Sequence, residues 1–200
     1  MTRVGEGPFP TEMGGKESEE WCGDYDNKKP VELAKFPNPD INSSDEFEQG
    51  VAVRLAGNEY GATTERPRRT GWLDLALLRH AIKVNGNDVV LTKVDILNDC
   101  NEIKICDSYT YDGPDYRMGE VELTKGSKIS TAFMEPDVLY HCKPNYAVFP
   151  GWKSDISGID SYEALPRELK NIVEFVENNA KVEVRAISTG PEREQLVVKG

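Results

Sequence analysis

The feature that most constrains this chain is a repeated change of hydrophobic period. From Gly57 onward, apolar residues fall alternately at helical spacing and in short strand-length runs. Trp72, Leu75, Leu78 and Ile82 follow one another at i, i+3, i+6 and i+10. This spacing predicts a helix from an N-cap at Thr70 to about Val84, ended by Asn85-Gly86. Val89–Thr92 is a short apolar run suited to a buried strand, and Glu102–Tyr111 reads as another, with Ile103 and Ile105 alternating against Lys104. Residues 112–135 are polar and carry glycine, as a hairpin or loops would. Pro166 is placed to start a helix running to about Asn179, with Leu169, Ile172, Val173 and Val176 facing inward. Val182–Ile187 then reads as a strand that Ser188-Thr189-Gly190-Pro191 ends sharply. Helices alternating with short apolar strands predict an α/β architecture.

The first 50 residues have a different character. Gly5, Gly7, Pro8, Pro10, Gly14 and Gly15 predict turns or a ligand loop. From Lys16 to Gly50 there are ten acidic side chains against four basic ones, with Pro30, Pro37 and Pro39 interspersed. This acidic, loop-rich segment (16–50) reads as a solvated excursion with at most one short helix, over Ser44–Arg54.

Bulk properties narrow the function classes. The formal charge of −11 opposes a nucleic-acid or anionic-membrane surface, although a local basic cluster can still hold a phosphorylated metabolite. No apolar run approaches the roughly 20 residues that span a bilayer, and the lone Arg3 is followed by no apolar stretch of the kind a secretion signal requires. Cys22, Cys100, Cys106 and Cys142 show no CxxC spacing and read as reduced cytosolic thiols. His80 and His141 stand alone, without neighbours at metal-ligand spacing, so no metal site is assigned.

Three stretches carry candidate chemistry. In Gly57–Trp72 (GNEYGATTERPRRTGW), the hydroxyls of Thr63 and Thr64 precede Arg66, Arg68 and Arg69. Guanidinium forks suit a carboxylate ligand in bidentate geometry, and hydroxyls fill the remaining lone pairs. By spacing alone, a solvated basic loop fits equally well. In Leu91–Leu97 (LTKVDIL), Lys93 and Asp95 fall at the end of a strand, where open α/β sheets bind ligands. Asp95 can accept from the N1–H and exocyclic amine of a guanine, while the lysine stem covers the ring. An ordinary strand end fits this motif too. The turn at Ser188–Pro191 offers backbone N–H groups and a hydroxyl to a base carbonyl, or is simply a tight turn.

Taken in order, TRVGEGPFPTE (2–12), GNEYGATTERPRRTGWLDL (57–75), LTKVDIL (91–97), IKIC (103–106), PGW (150–152) and ISTGPERE (187–194) resemble the adenylosuccinate synthetase family. The resemblance implies that GTP phosphorylates the purine O6 of IMP and that the amino group of L-aspartate then displaces phosphate. Adenylosuccinate, GDP and phosphate are the products, on the route to AMP. It implies that Ala62, Thr63, Thr64, Glu65, Arg66, Pro67 and Arg68 form the loop that closes over aspartate. Arg66 bridges aspartate and nucleotide, and Arg68 reaches towards GTP. Lys93, Val94 and Asp95 read the guanine, with Ser188, Thr189 and Gly190 behind the base, and Val4 lies near the IMP ribose. The implied fold is α/β, part of a P-loop-like, mostly parallel sheet with flanking helices, in a cytoplasmic and typically homodimeric enzyme.

Two departures from the family pattern stand out. The glycine-rich phosphate loop, with its aspartate base and Mg²⁺ ligand and its assisting histidine, belongs to the family's N-terminal half and is not in these 200 residues. The chain therefore reads as a C-terminal portion: a fragment, an internal start or one part of a split enzyme, with no catalytic residue of its own and no activity alone. Glu65 stands where the family has glycine, and pairing with Arg69, or with an arginine of the N-terminal half, is the expected compensation. A non-catalytic purine-nucleotide binding module, or a ligase acting on another purine nucleotide such as dGMP, are the alternatives.

Overall fold

The computed structural model describes residues 1–132 and 135–200. Its elements in chain order are β1 (Thr2–Val4), α1 (Gly15–Gly23), α2 (Lys29–Lys35), α3 (Glu46–Ala56), β2 (Thr70–Asp74), α4 (Leu75–Asn85), β3 (Asp88–Leu91), β4 (Glu102–Tyr111), β5 (Tyr116–Met118), β6 (Val121–Leu123), β7 (Lys128–Ile129), α5 (Pro136–Leu139), β8 (Cys142–Pro150), α6 (Arg167–Ala180), β9 (Glu183–Ser188) and β10 (Leu196–Val198). The fold is mixed α/β.

The sheets are not mostly parallel, contrary to the sequence expectation. In the larger sheet β2 runs parallel to β4, but β1 pairs antiparallel with β2, and β7 and β8 pair antiparallel with β4. In the smaller sheet β9 lies between β3, parallel, and β10, antiparallel; β5 and β6 form a separate antiparallel hairpin. Most of the antiparallel pairing in the larger sheet comes from β8, which returns along the whole of β4, from Tyr111 opposite Cys142 to Glu102 opposite Pro150.

The helix expected from Thr70 begins later. Thr70–Asp74 is a strand, and Asp74 is the true N-cap, its carboxylate accepting from the Leu77 N–H at 3.1 Å. Trp72 mimics a helical position because the strand turns it into the same core that Leu75 enters from α4. The predicted strands at 89–92, 102–111 and 182–187 and the helix at 166–179 lie where expected, within a residue or two. Asn85-Gly86 does end α4. The polar stretch 112–135 holds the β5–β6 hairpin and β7, while its residues 133–134 fall outside the described set. The main core joins Trp72, Leu75, Ile103 and Ile105 to Leu169, Ile172, Val173 and Val176 of α6 and to Leu91 and Ile187 of the smaller sheet.

The acidic segment is the largest difference. Three helices occur where at most one was expected. Trp21, Phe36 and Phe47, one from α1, one at the end of α2 and one from α3, meet edge to face at 5.7–6.2 Å. Beside them Glu32 and Arg54 are fully buried as an ion pair. Glu32 also accepts from the Trp21 indole N–H at 2.7 Å and from the Tyr60 hydroxyl. Burial, reinforced by that bond to Glu32, pushes the Tyr60 hydroxyl well above its ordinary range. The segment is therefore a packed helical subassembly whose polar composition conceals an internally neutralised core.

Candidate functional site

Two cavities gather most of the binding residues singled out in the sequence, though Ala62, Thr63, Glu65, Val94 and Thr189 line neither. The first lies at the carboxyl ends of β3 and β9. Because these strands are parallel, with Leu91 beside Ile187, the segments leaving them emerge side by side. After β3 the chain turns through Lys93 in the left-handed region (φ 56°) and enters a short 3-10 turn at Asp95–Leu97. After β9 it turns at Ser188–Pro191. Lys93, Asp95, Ser188 and Gly190 line a common cavity of about 520 Å³, with Asn58 and Thr92 on its rim.

Each lining group has a local reason for its place. Gly190 leaves room for the Gln195 amide, whose Oε1 would lie 2.2 Å from a Cβ at that position. The Ser188 hydroxyl donates to the Gly190 carbonyl at 2.8 Å. The Lys93 ammonium donates to the Gly57 carbonyl and lies 3.7 Å from the Glu59 carboxylate. Asp95 is half-buried, and among the described residues its carboxylate has no ion-pair partner. Val94 and Thr189 differ from their neighbours. Both are fully buried, so Val94 serves the core, while the Thr189 Oγ1 is enclosed without a hydrogen-bond partner.

The second cavity, about 370 Å³, is formed where residues 61–68 arch over the start of the chain. Val4, Gly5 and Glu6 form one wall, and Gly61, Thr64, Arg66 and Arg68 the other. The arch holds its own shape: Gly61 N–H donates to the Arg66 carbonyl and Glu65 N–H to the Gly61 carbonyl, both at 2.9 Å. Gly61 leaves the space that the Thr64 hydroxyl occupies, since a Cβ would sit 2.3 Å from its Oγ1. The Arg68 N–H donates to the Glu59 carbonyl at 3.0 Å, and Tyr60 bridges Pro67, which is buried. Ala62 and Thr63 are exposed at the tip and do not line the cavity.

Two residues escaped the sequence analysis. Glu6 lines the second cavity although only Val4 was singled out nearby. Glu59 is nearly buried and faces both sites, 3.7 Å from Lys93 and 3.4 Å from Arg68. A carboxylate seven to ten residues before three arginines was the available signal. Of the two pairings expected for Glu65, the one with Arg69 is not found. Arg69 is committed to Glu12, with contacts of 2.9 Å and 2.5 Å, and to Glu19 at 3.5 Å, while Glu65 is exposed. Among the described residues no group of three or more His, Cys, Asp or Glu side chains is arranged to hold a metal ion, and no helix is long and apolar enough to cross a membrane.

Known proteins match this chain from end to end. The family model for adenylosuccinate synthetase covers residues 1–197. The adenylosuccinate synthetase of Salinibacter ruber is 38% identical over 98% of the chain, and that of Thermodesulfovibrio yellowstonii is 38% identical over 99%. The chain spans only 35% and 36% of the length of those two relatives. The fully ligated adenylosuccinate synthetase of Plasmodium falciparum superposes with a TM-score of 0.71 at 29% identity, over all of this chain and 38% of that one. By sequence and by fold, this chain belongs to the adenylosuccinate synthetase family.

Proposed function

We propose that this chain supplies the guanine pocket and the aspartate loop of a GTP-dependent ligase that joins IMP to L-aspartate. The observation that carries the proposal is the parallel pairing of β3 with β9, which sets Lys93 and Asp95 opposite Ser188 and Gly190 on one cavity. An aspartate accepting from N1–H and the exocyclic amine selects guanine, and the Lys93 stem covers the ring. The backbone at Ser188–Gly190 meets O6. A charged hydrogen bond of this kind contributes about 1.5–3 kcal/mol in a closed site.

The loop supplies the second half of the proposal. Thr63 and Thr64 donate to the substrate carboxylates, Arg66 spans aspartate and IMP beside Val4, and Arg68 reaches towards the GTP side. In the ligation the γ-phosphoryl group of GTP passes to the IMP O6. The aspartate amine then attacks C6, and the C6–O bond breaks with loss of phosphate. This chain's residues bind and orient the partners. By resemblance to the family, the Mg²⁺ ligands and the phosphate loop are assigned to the remaining part of a longer, P-loop-like enzyme. Four unpaired, buried cysteines suit a reducing, cytoplasmic setting.

Asp95→Asn in the complete enzyme tests the reading. The amide nitrogen can donate to the carbonyl that replaces the amine in xanthosine triphosphate. GTP use should fall about tenfold or more while xanthosine triphosphate use rises. An unchanged preference between the two nucleotides would reject the guanine assignment. The 200-residue polypeptide by itself should form no adenylosuccinate from IMP, aspartate and GTP, and turnover by it would overturn the division of labour.

A further inference from the structure

The helical segment 15–36 touches the loop that the proposed function assigns to aspartate, and it does so at the arginine that matters most. Arg66 lays its guanidinium on the Tyr25 ring, 4.1 Å from the ring centroid, and donates from Nη2 to the Cys22 carbonyl at 3.1 Å. One residue earlier, the Glu65 carbonyl accepts from the Lys29 N–H at 3.0 Å. That donor is the first N–H of α2, a group with no partner inside its own helix. The Lys29 ammonium reaches the other arm of the arch, donating to Asn58 Oδ1 at 2.7 Å.

These contacts converge on one backbone feature. Glu65 is in the left-handed region (φ 56°), which an L residue adopts only at a cost. The hydrogen bond from Lys29 fixes its carbonyl in that orientation. The segment is in turn anchored by the buried Glu32–Arg54 pair and by Tyr60, which stands immediately before the arch. Arg66 still has an unfilled donor: its Nε is buried without a partner on the side chain that lines the second cavity.

We propose that Tyr25 is a positioning residue for aspartate binding, and that the segment from α1 to α2 is a clasp that anchors Arg66 and the 61–66 arch beside the site from which the loop closes on an amino-acid carboxylate. Stacking settles the plane of the guanidinium and the Cys22 carbonyl occupies one of its donors, leaving the remaining N–H groups for the carboxylate. The identity of the ligand rests on the proposed function; the restraint on the loop does not.

Tyr25 suits a test because it is 73% exposed, so its removal leaves the core intact. In the complete enzyme, Tyr25→Ala should raise the aspartate KM about two- to fivefold, the range of an exposed cation–π contact. Its kcat and GTP KM should stay near wild type, and Tyr25→Phe, which keeps the ring face, should restore the aspartate KM. In an Arg66→Lys background the same Tyr25→Ala change should lose most of its effect, because the stacking partner is gone. An equal cost in both backgrounds would overturn the proposal. Amide hydrogen exchange over residues 61–66 of the substrate-free enzyme reads the clasp without turnover. It should quicken about two- to fivefold in Tyr25→Ala and not in Tyr25→Phe. Unchanged exchange would overturn the clasp even if the enzyme makes adenylosuccinate. Quickened exchange in an enzyme that makes none would leave the clasp standing and reject the proposed function instead.

Discussion

The cavity at the ends of β3 and β9 and the cavity beneath residues 61–68 each have a cationic lining residue paired with Glu59, yet different physics holds them in place. The first is set by backbone pairing within a sheet: once Val89 and Leu91 align with Val184 and Ile187, the groups that follow each strand have little freedom. The second is set by contacts with a separate helical segment: the Arg66 guanidinium on the Tyr25 ring, the Lys29 backbone N–H on the Glu65 carbonyl, and the buried cluster around Glu32. A sheet-edge site inherits the stability of the core, whereas an arch braced by polar contacts inherits that of the brace. Perturbing the brace should therefore damage the aspartate side and spare the guanine side.

The largest expected effect tests that asymmetry directly. Glu32→Ala leaves the fully buried Arg54 guanidinium without its carboxylate and leaves the Trp21 N–H and Tyr60 hydroxyl without an acceptor. Breaking a buried pair from one side costs about 3–5 kcal/mol. Urea unfolding of the complete enzyme should show a loss of that order in the transition that includes the helical segment. The aspartate KM should rise more than the GTP KM. A loss below about 1 kcal/mol would mean that the segment is not braced by this network. Asp95→Asn is the reciprocal change, at least about tenfold on GTP use with little effect on aspartate.

The contrast also explains what was legible in the sequence. Helix α6 was, because its buried residues keep helical period over fourteen residues, and strand β4 was from its start, where Ile103 and Ile105 alternate against Lys104. The Lys93–Asp95 and Ser188–Gly190 motifs were placed correctly at strand ends, but only the parallel register shows that the two ends share a cavity. The helical segment was not legible. Its core is built around Glu32 and Arg54, residue types that read as solvated surface until the partner is known. Strand β8 gave no usable signal, since Lys143, Pro144 and Asn145 interrupt its apolar pattern. The strand Thr70–Asp74 was mistaken for helix because Trp72 and Leu75 enter the same core from different elements.

A smaller effect is expected at Glu59, which pairs with one cation from each cavity. Glu59→Gln removes the charge shared by Lys93 at 3.7 Å and Arg68 at 3.4 Å but keeps the backbone bond to Arg68. Both cationic side chains are about half exposed, so each pair contributes only about 0.2–1 kcal/mol. GTP and aspartate KM should both rise, each by less than about fivefold. A rise confined to one substrate would show that Glu59 serves a single cavity.

The smallest expected effect is at Glu65, where the chain departs from the glycine of its family pattern. The backbone there keeps the left-handed conformation that glycine adopts freely, with φ 56°. Its N–H donates to Gly61 and its carbonyl accepts from Lys29. Glu65→Gly relieves a backbone cost of about 1 kcal/mol or more, but it also frees the unfolded chain by about 0.4–1 kcal/mol. Those terms oppose each other, so folding stability should change by no more than about 1 kcal/mol. The carboxylate is exposed, and charges beyond about 8 Å are largely screened at physiological salt. The aspartate KM should accordingly shift by less than about tenfold, with little dependence on salt. Both quantities follow from aspartate titrations of wild type and Glu65→Gly at low and high ionic strength. A gain in aspartate use of about tenfold or more, shrinking as salt rises, would place the Glu65 carboxylate against the substrate. It would make charge at this position, rather than the hold of Lys29 on the backbone, the feature that separates this loop from one built with glycine.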